Sequence, residues 1–153
     1  MAGHAAFRSV LVVCIGNICR SPVGERVLAA GLPGLRIGSA GLHAMTGQPA
    51  DTVTAEAAGR QGVDLGGHVA RMLTPALGSE HDLLLVMERS HRHEIAERFP
   101  QLLGRTMLFG QWIGSGTDIS DPYRRPSVIH EQTVSLIRQA GAEWVSRLGG
   151  KAG

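Results

Sequence analysis

The sequence predicts an α/β fold: a single three-layer domain over residues 1–153, with a four-stranded parallel sheet and helices on both faces. Three observations carry that expectation. Apolar runs at residues 10–14, 35–39, 83–87 and 106–109 alternate with segments of helical spacing, as βαβ units do. Ser, Thr, Asp, Gly and Pro punctuate the boundaries between them. The first apolar run then passes through a tight turn into a helical segment, and parallel sheets bind ligands beyond the carboxyl ends of their strands.

A chain of 153 residues suits one domain and can bury a core. Aromatic residues make up only 4 % of it, so Leu, Val, Ile and Ala must fill that core. Val10 to Cys14 reads as a buried strand, without polar alternation. Ser21 is expected to cap the first helix, with Pro22 at its first position, Val23, Val27 and Leu28 on its apolar face and Gly31 as its stop. Gly24 sits inside that helix with no sequence-level reason, although it is about 1 kcal/mol worse there than Ala. Leu35 to Ser39 is a second strand. Asp51 or Thr52 caps a helix running to about Gln61. Residues 63–72 look irregular, and Thr74-Pro75 starts another helical turn. Leu83 to Met87 is the clearest later strand. Ser90 is expected to cap a helix that Pro100 ends near Phe99. Thr106 to Phe109 is the fourth strand. Val128 to Leu148 is a long final helix with Val134, Ile137, Trp144, Val145 and Leu148 partly at core spacing.

The chemistry concentrates in Cys14-Ile15-Gly16-Asn17-Ile18-Cys19-Arg20-Ser21. Backbone N–H groups of so tight a turn can converge into an anion cradle, and the helix behind it adds free donors and the positive end of its dipole. Arg20 contributes a planar fork that matches two phosphate oxygens. Residues Ile15, Gly16, Asn17, Ile18, Cys19, Arg20 and Ser21 thus form a candidate phosphate-binding loop with Cys14 on its floor. An ordinary cysteine, with a pKa of about 8.5, is only a few per cent ionised at neutral pH. The helix dipole supplies at best about 2 kcal/mol toward ionising it, so Arg20 and the Ser21 hydroxyl are expected to help. A thiolate facing bound phosphate is a nucleophile aimed at phosphorus. Asn17 suits a left-handed turn conformation.

Residues 110–126 show no regular pattern and carry Asp118, Asp121, Tyr123, Arg124 and Arg125, which makes the segment a candidate lid. A phosphate ester with a poor leaving group needs a proton donor at the bridging oxygen. Asp121 is the first candidate and Asp118 the competitor. Tyr123, the only tyrosine, could stack on a substrate ring. Arg124 and Arg125 could favour acidic peptides.

Other functions are disfavoured. A net charge of +2 argues against nucleic acid. The two cysteines share one loop, a poor disulfide framework for a secreted protein. Residues 1–8 hold no apolar segment of signal-peptide length, and no run is long enough to span a membrane, so a cytoplasmic protein is expected. His91 and His93 lie on different sides of a helix, so no metal and no cofactor are expected.

The string Val13-Cys14-Ile15-Gly16-Asn17-Ile18-Cys19-Arg20-Ser21-Pro22 resembles the signature of the low-molecular-weight protein-tyrosine phosphatases. Ser39-Ala40-Gly41, Gly67-His68-Val69-Ala70-Arg71 and Asp121-Pro122-Tyr123 extend the likeness over nearly the whole chain. The first and last of these look most like the bacterial branch associated with polysaccharide-export tyrosine kinases. The resemblance implies Cys14 as nucleophile, Arg20 as phosphate ligand and Asp121 as general acid and then base. It implies Ser39 and His68 as partners of Asn17, Cys19 as a redox partner for Cys14, and Tyr123 with Arg124 at the substrate cleft. It implies action on a phosphotyrosine protein, a tyrosine autokinase of exopolysaccharide or capsule export; the oligomeric state stays open, with a monomer as the first expectation. Arsenate reductases share such a cradle, but the thioredoxin-coupled kind needs cysteines downstream, and none follows Cys19. A phosphocysteine carrier of a sugar-uptake system has a similar loop but has no use for Arg20 or Asp121.

Overall fold

The computed structural model describes residues 7–149. Four strands, β1 (Ser9–Cys14), β2 (Arg36–Gly41), β3 (Leu83–Val86) and β4 (Thr106–Leu108), form one parallel sheet in the order β2-β1-β3-β4. The order reverses at β1, so the chain leaves the sheet there between two diverging connections, where ligands collect. Five helices surround the sheet: α1 (Arg20–Gly31), α2 (Thr52–Arg60), α3 (Pro75–Ser79), α4 (Arg89–Arg98) and α5 (Ser127–Gly149).

The side chains of β1 explain the three layers. Val10, Val12 and Cys14 face one core with Val23 and Leu28 of α1, Ala57 of α2 and Val134, Ile137 and Trp144 of α5. Leu11 and Val13 face the other, with Ile95 of α4, Phe99 and Leu102. A strand buried on both faces has no need of polar alternation, which is why β1 reads as a continuous apolar run.

Several boundaries differ from expectation. Helix α1 begins at Arg20 with Cys19 as N-cap, and Ser21 lies in its first turn with its hydroxyl turned elsewhere. Gly31 is the last residue of α1, as expected. Its role is proximity, because a Cβ there would lie 2.6 Å from Val145 Cγ2 of α5. Gly141 of α5 reciprocates, with Val27 Cγ1 of α1 at 2.5 Å from its would-be Cβ. Gly24 likewise leaves room for Phe109 and Val12, each at 3.0 Å. Helix α4 is not capped by Ser90. It starts at Arg89, and its first N–H donates to Asp118 Oδ1 at 3.0 Å. Strand β2 runs to Gly41, two residues beyond its expected end, because Gly41 N donates to Arg71 O and Leu73 N to Gly41 O. Pro100 ends α4 but also opens a 3₁₀ turn, Pro100–Arg105, that the sequence pattern does not announce. Asp51 and Thr74 cap α2 and α3 as expected, accepting from Thr54 N and Leu77 N. Among the described residues no helix is long and apolar enough to cross a membrane.

Candidate active site

Beyond Cys14 the chain folds back on itself before entering α1. The carbonyls of this turn point outward and are taken: Ile15 O by His43 N, Gly16 O by Met45 N, Ile18 O by Asp51 N and Asn17 O by the His68 ring at 2.6 Å. The N–H groups of residues 15–19 donate to no described acceptor. Outward carbonyls leave inward amides, and a ring of unpaired N–H groups at a helix N-terminus is a strong anion site.

Asn17 holds the turn in shape. Its φ of 59° puts it in the left-handed region, and it is fully buried. Its amide nitrogen donates to Ser21 Oγ at 2.7 Å and to Ser39 Oγ at 3.1 Å, while its carbonyl oxygen accepts from Arg71 N at 2.9 Å. Ser39 passes its own hydrogen to Glu25 Oε1 at 2.5 Å. Ser21 Oγ, which accepts from Asn17, also lies within hydrogen-bond distance of Cys14 Sγ, at 2.9 Å.

Arg20 is almost wholly buried, with 2 % of its surface exposed. One terminal nitrogen donates to Glu88 Oε2 at 2.5 Å and Ile119 O at 2.7 Å, and the other lies 3.7 Å from Asp121 Oδ2. Its Nε has no partner among the described residues. The guanidinium is therefore fixed from behind. Asp121 is half-exposed, its Oδ1 accepting from Tyr123 N at 3.0 Å.

These groups meet in a cavity of about 160 Å³ lined by Cys14, Ile15, Gly16, Ile18, Cys19, Arg20, His43, Met45, Asp121 and Tyr123. A slot that small, with a cysteine sulfur and amide donors at its base and an aromatic side chain at its wall, suits a phosphate monoester of an aromatic alcohol. The family model "Low molecular weight phosphotyrosine protein phosphatase" matches residues 9–152. This chain belongs to that family.

It is a protein-tyrosine phosphatase, with relatives along its whole length. It is 44 % identical to the low molecular weight protein-tyrosine-phosphatase Etp of Escherichia coli K12, over 93 % of this chain and 95 % of that one. The crystal structure of the tyrosine phosphatase Wzb from Escherichia coli K30 in complex with sulphate superposes with a TM-score of 0.91 at 44 % identity, covering 94 % of this chain and 99 % of Wzb. The YwlE arginine phosphatase, solved as a cysteine-to-serine mutant with a phosphorylated active-site serine, is more distant. Its TM-score is 0.87 at 26 % identity, covering 94 % of this chain and 97 % of that one.

Within this phosphatase the two aspartates separate. Asp121 lines the cavity, whereas Asp118 binds the N-terminus and guanidinium of Arg89, at 3.0 and 3.1 Å. Arg124 is not part of the cavity wall. Its guanidinium lies over the outer face of the Tyr123 ring, 5.5 Å from the centroid. Cys19 lines the cavity, but burial pushes its thiol up to about 12, against a lowering contact with Thr54. His91 is buried with Nδ1 unpartnered among the described residues, and burial, reinforced by the nearby Arg20 charge, pulls it down to about 4. His93 is exposed on another side of α4.

Sequence reasoning missed the parts played by Glu88, Ile119 and Glu25; His43 and Met45, from the loop after Ser39 that lacks an aromatic, line the wall. A signal existed for two of the loops: Glu88 follows β3 and His43 follows β2, both beyond the carboxyl ends of strands flanking β1.

Proposed function

We propose that this phosphatase hydrolyses phosphotyrosine in proteins through a phosphocysteine on Cys14. The Cys14 sulfur attacks phosphorus as the phosphorus–oxygen bond to the phenol breaks, and Asp121 gives its proton to the leaving oxygen. Water then attacks the phosphocysteine. Asp121 takes a proton from that water, the sulfur recovers its electrons and inorganic phosphate is released. Arg20 and the amides of residues 15–19 hold the three equatorial oxygens throughout. The observation that carries this reading is the ring of amides without acceptors around Cys14, closed by a buried Arg20 and faced by Asp121. The phosphorylated serine in the YwlE mutant supports a phosphoryl group residing on the nucleophile's position. The resemblance to the bacterial branch, and the likeness to Etp and Wzb, support a tyrosine autokinase of exopolysaccharide or capsule export as the substrate. The protein acts in the cytoplasm as a monomer.

The test is hydrolysis of para-nitrophenyl phosphate in excess chelator, wild type beside Cys14→Ser. Turnover is expected to persist in chelator and to vanish in the variant, which still binds vanadate. A fully active Cys14→Ser enzyme would move the nucleophile elsewhere.

A further inference from the structure

A second depression lies at the edge of the sheet, and the reaction makes no use of it. It encloses about 630 Å³, within the range of sites that hold sizeable ligands. One wall is the α4 face Arg89, Arg92, His93 and Ala96, whose spacing places all four on one side of the helix over about 10 Å. The opposite wall is β4 with Leu103 and Gln111, and no carboxylate lines it. Arg89 is committed to Asp118 and Gly116 O. Arg92 is committed only through Nε, which donates to Thr106 O at 2.9 Å, and its terminal nitrogens reach no described partner. His93 is exposed.

The outer edge of β4 cannot accept another strand there. Thr106 O is taken by Arg92, and Leu108 N donates to Gln111 Oε1 at 3.4 Å. An occupant must therefore be recognised by charge and apolar contact, with Arg92 and His93 above and Leu103 and Met107 beneath. Arg89, which lines the depression, directly follows the Glu88 that holds Arg20.

We propose that this groove between α4 and β4 is a docking site for an acidic segment of the phosphoprotein substrate, separate from the phosphotyrosine slot. The proposal rests on the phosphatase reading above for the nature of that substrate. Binding there raises the residence of an acidic phosphoprotein at the enzyme and leaves the chemical step alone, so its effect falls on KM.

The experiment compares two phosphotyrosine peptides, one carrying a Glu-rich stretch and one with Gln in its place, on wild type, Arg92→Glu and His93→Glu. The exposed His93 makes no hydrogen bond among the described residues, so its replacement guards against misfolding of the Arg92 variant. The acidic peptide is expected to show a KM about tenfold higher on each variant, with para-nitrophenyl phosphate and the Gln peptide unaffected. A short labelled Glu-rich peptide without phosphate is expected to bind wild type in a salt-sensitive manner and to stay bound when vanadate fills the Cys14 site. Equal KM values for the two peptides, insensitivity to both substitutions, or displacement of the labelled peptide by vanadate would each overturn the groove; displacement would assign acidic recognition to the rim at Arg124 and Arg125. Loss of para-nitrophenyl phosphate turnover in wild type would instead strike the phosphatase reading, and the labelled peptide would still report on the groove.

Discussion

Asp121 and Asp118 lie three residues apart on one segment, and only their neighbours distinguish them. Asp118 is engaged by Arg89, while Asp121 faces the cavity with one oxygen 3.7 Å from Arg20. Asp121→Asn is expected to slow phenyl phosphate by roughly 10²–10⁴, the usual range for a lost general acid, and an ester whose leaving group needs no proton far less. Parallel kcat measurements on the two esters check this, and equal slowing would reassign the acid. At this scale the sequence was informative wherever a residue type suits a single role, as with Cys14, Arg20, and Asn17 in its left-handed turn. It was ambiguous for Ser21, which reads as a cap by position. Its hydroxyl instead pairs with Asn17 and with the Cys14 sulfur, in a network that depends on Ser39 and Glu25 arriving from β2 and α1. No local pattern encodes it.

The elements meet through small residues at positions that helix propensity disfavours. Gly31 against Val145 and Gly141 against Val27 let α1 and α5 approach as a reciprocal pair. Gly31→Ala gains about 1 kcal/mol of helix propensity but drives a methyl group into a stiff β-branched side chain, an overpacking that costs about 1–3 kcal/mol. Net destabilisation is expected, seen as a lower urea midpoint. Val145→Ala in the same chain should recover part of it, giving a non-additive double-mutant cycle. An alanine at position 31 that stabilised the protein would remove the close approach as the glycine's reason. The order of elements was legible because strands buried on both faces and helices with one apolar stripe differ in period. Their ends were less so. The α4 start depends on Asp118, which arrives from 29 residues downstream, and the 3₁₀ turn at Pro100–Arg105 follows from packing Leu102 under the sheet.

Over the whole molecule, two buried titratable groups limit stability from opposite sides of neutrality. His91 is neutral in the folded protein down to about 4, but titrates near 6.5 when unfolded. The unfolded chain therefore binds the extra proton first. Stability is expected to be lost from about pH 6.5 downward and to level off near pH 4, by up to about 3 kcal/mol. Cys19 does the reverse: its thiol ionises near 9 when unfolded and only at about 12 when folded, so stability drains away as pH rises above 9. Urea denaturation across pH checks both. His91→Gln should flatten the acid limb and Cys19→Ala the alkaline one, each leaving the other in place. The cradle between them has a further consequence. Asn17, Ser39 and Glu25 hold it from outside, so its shape owes nothing to what it contains. A rigid ring of amides built for a tetrahedral oxyanion does not distinguish an ester from the free anion left after cleavage. On the proposed mechanism the enzyme is expected to be its own brake: each turnover would deliver a competitor into the same ring, and the reaction would slow as its product accumulates.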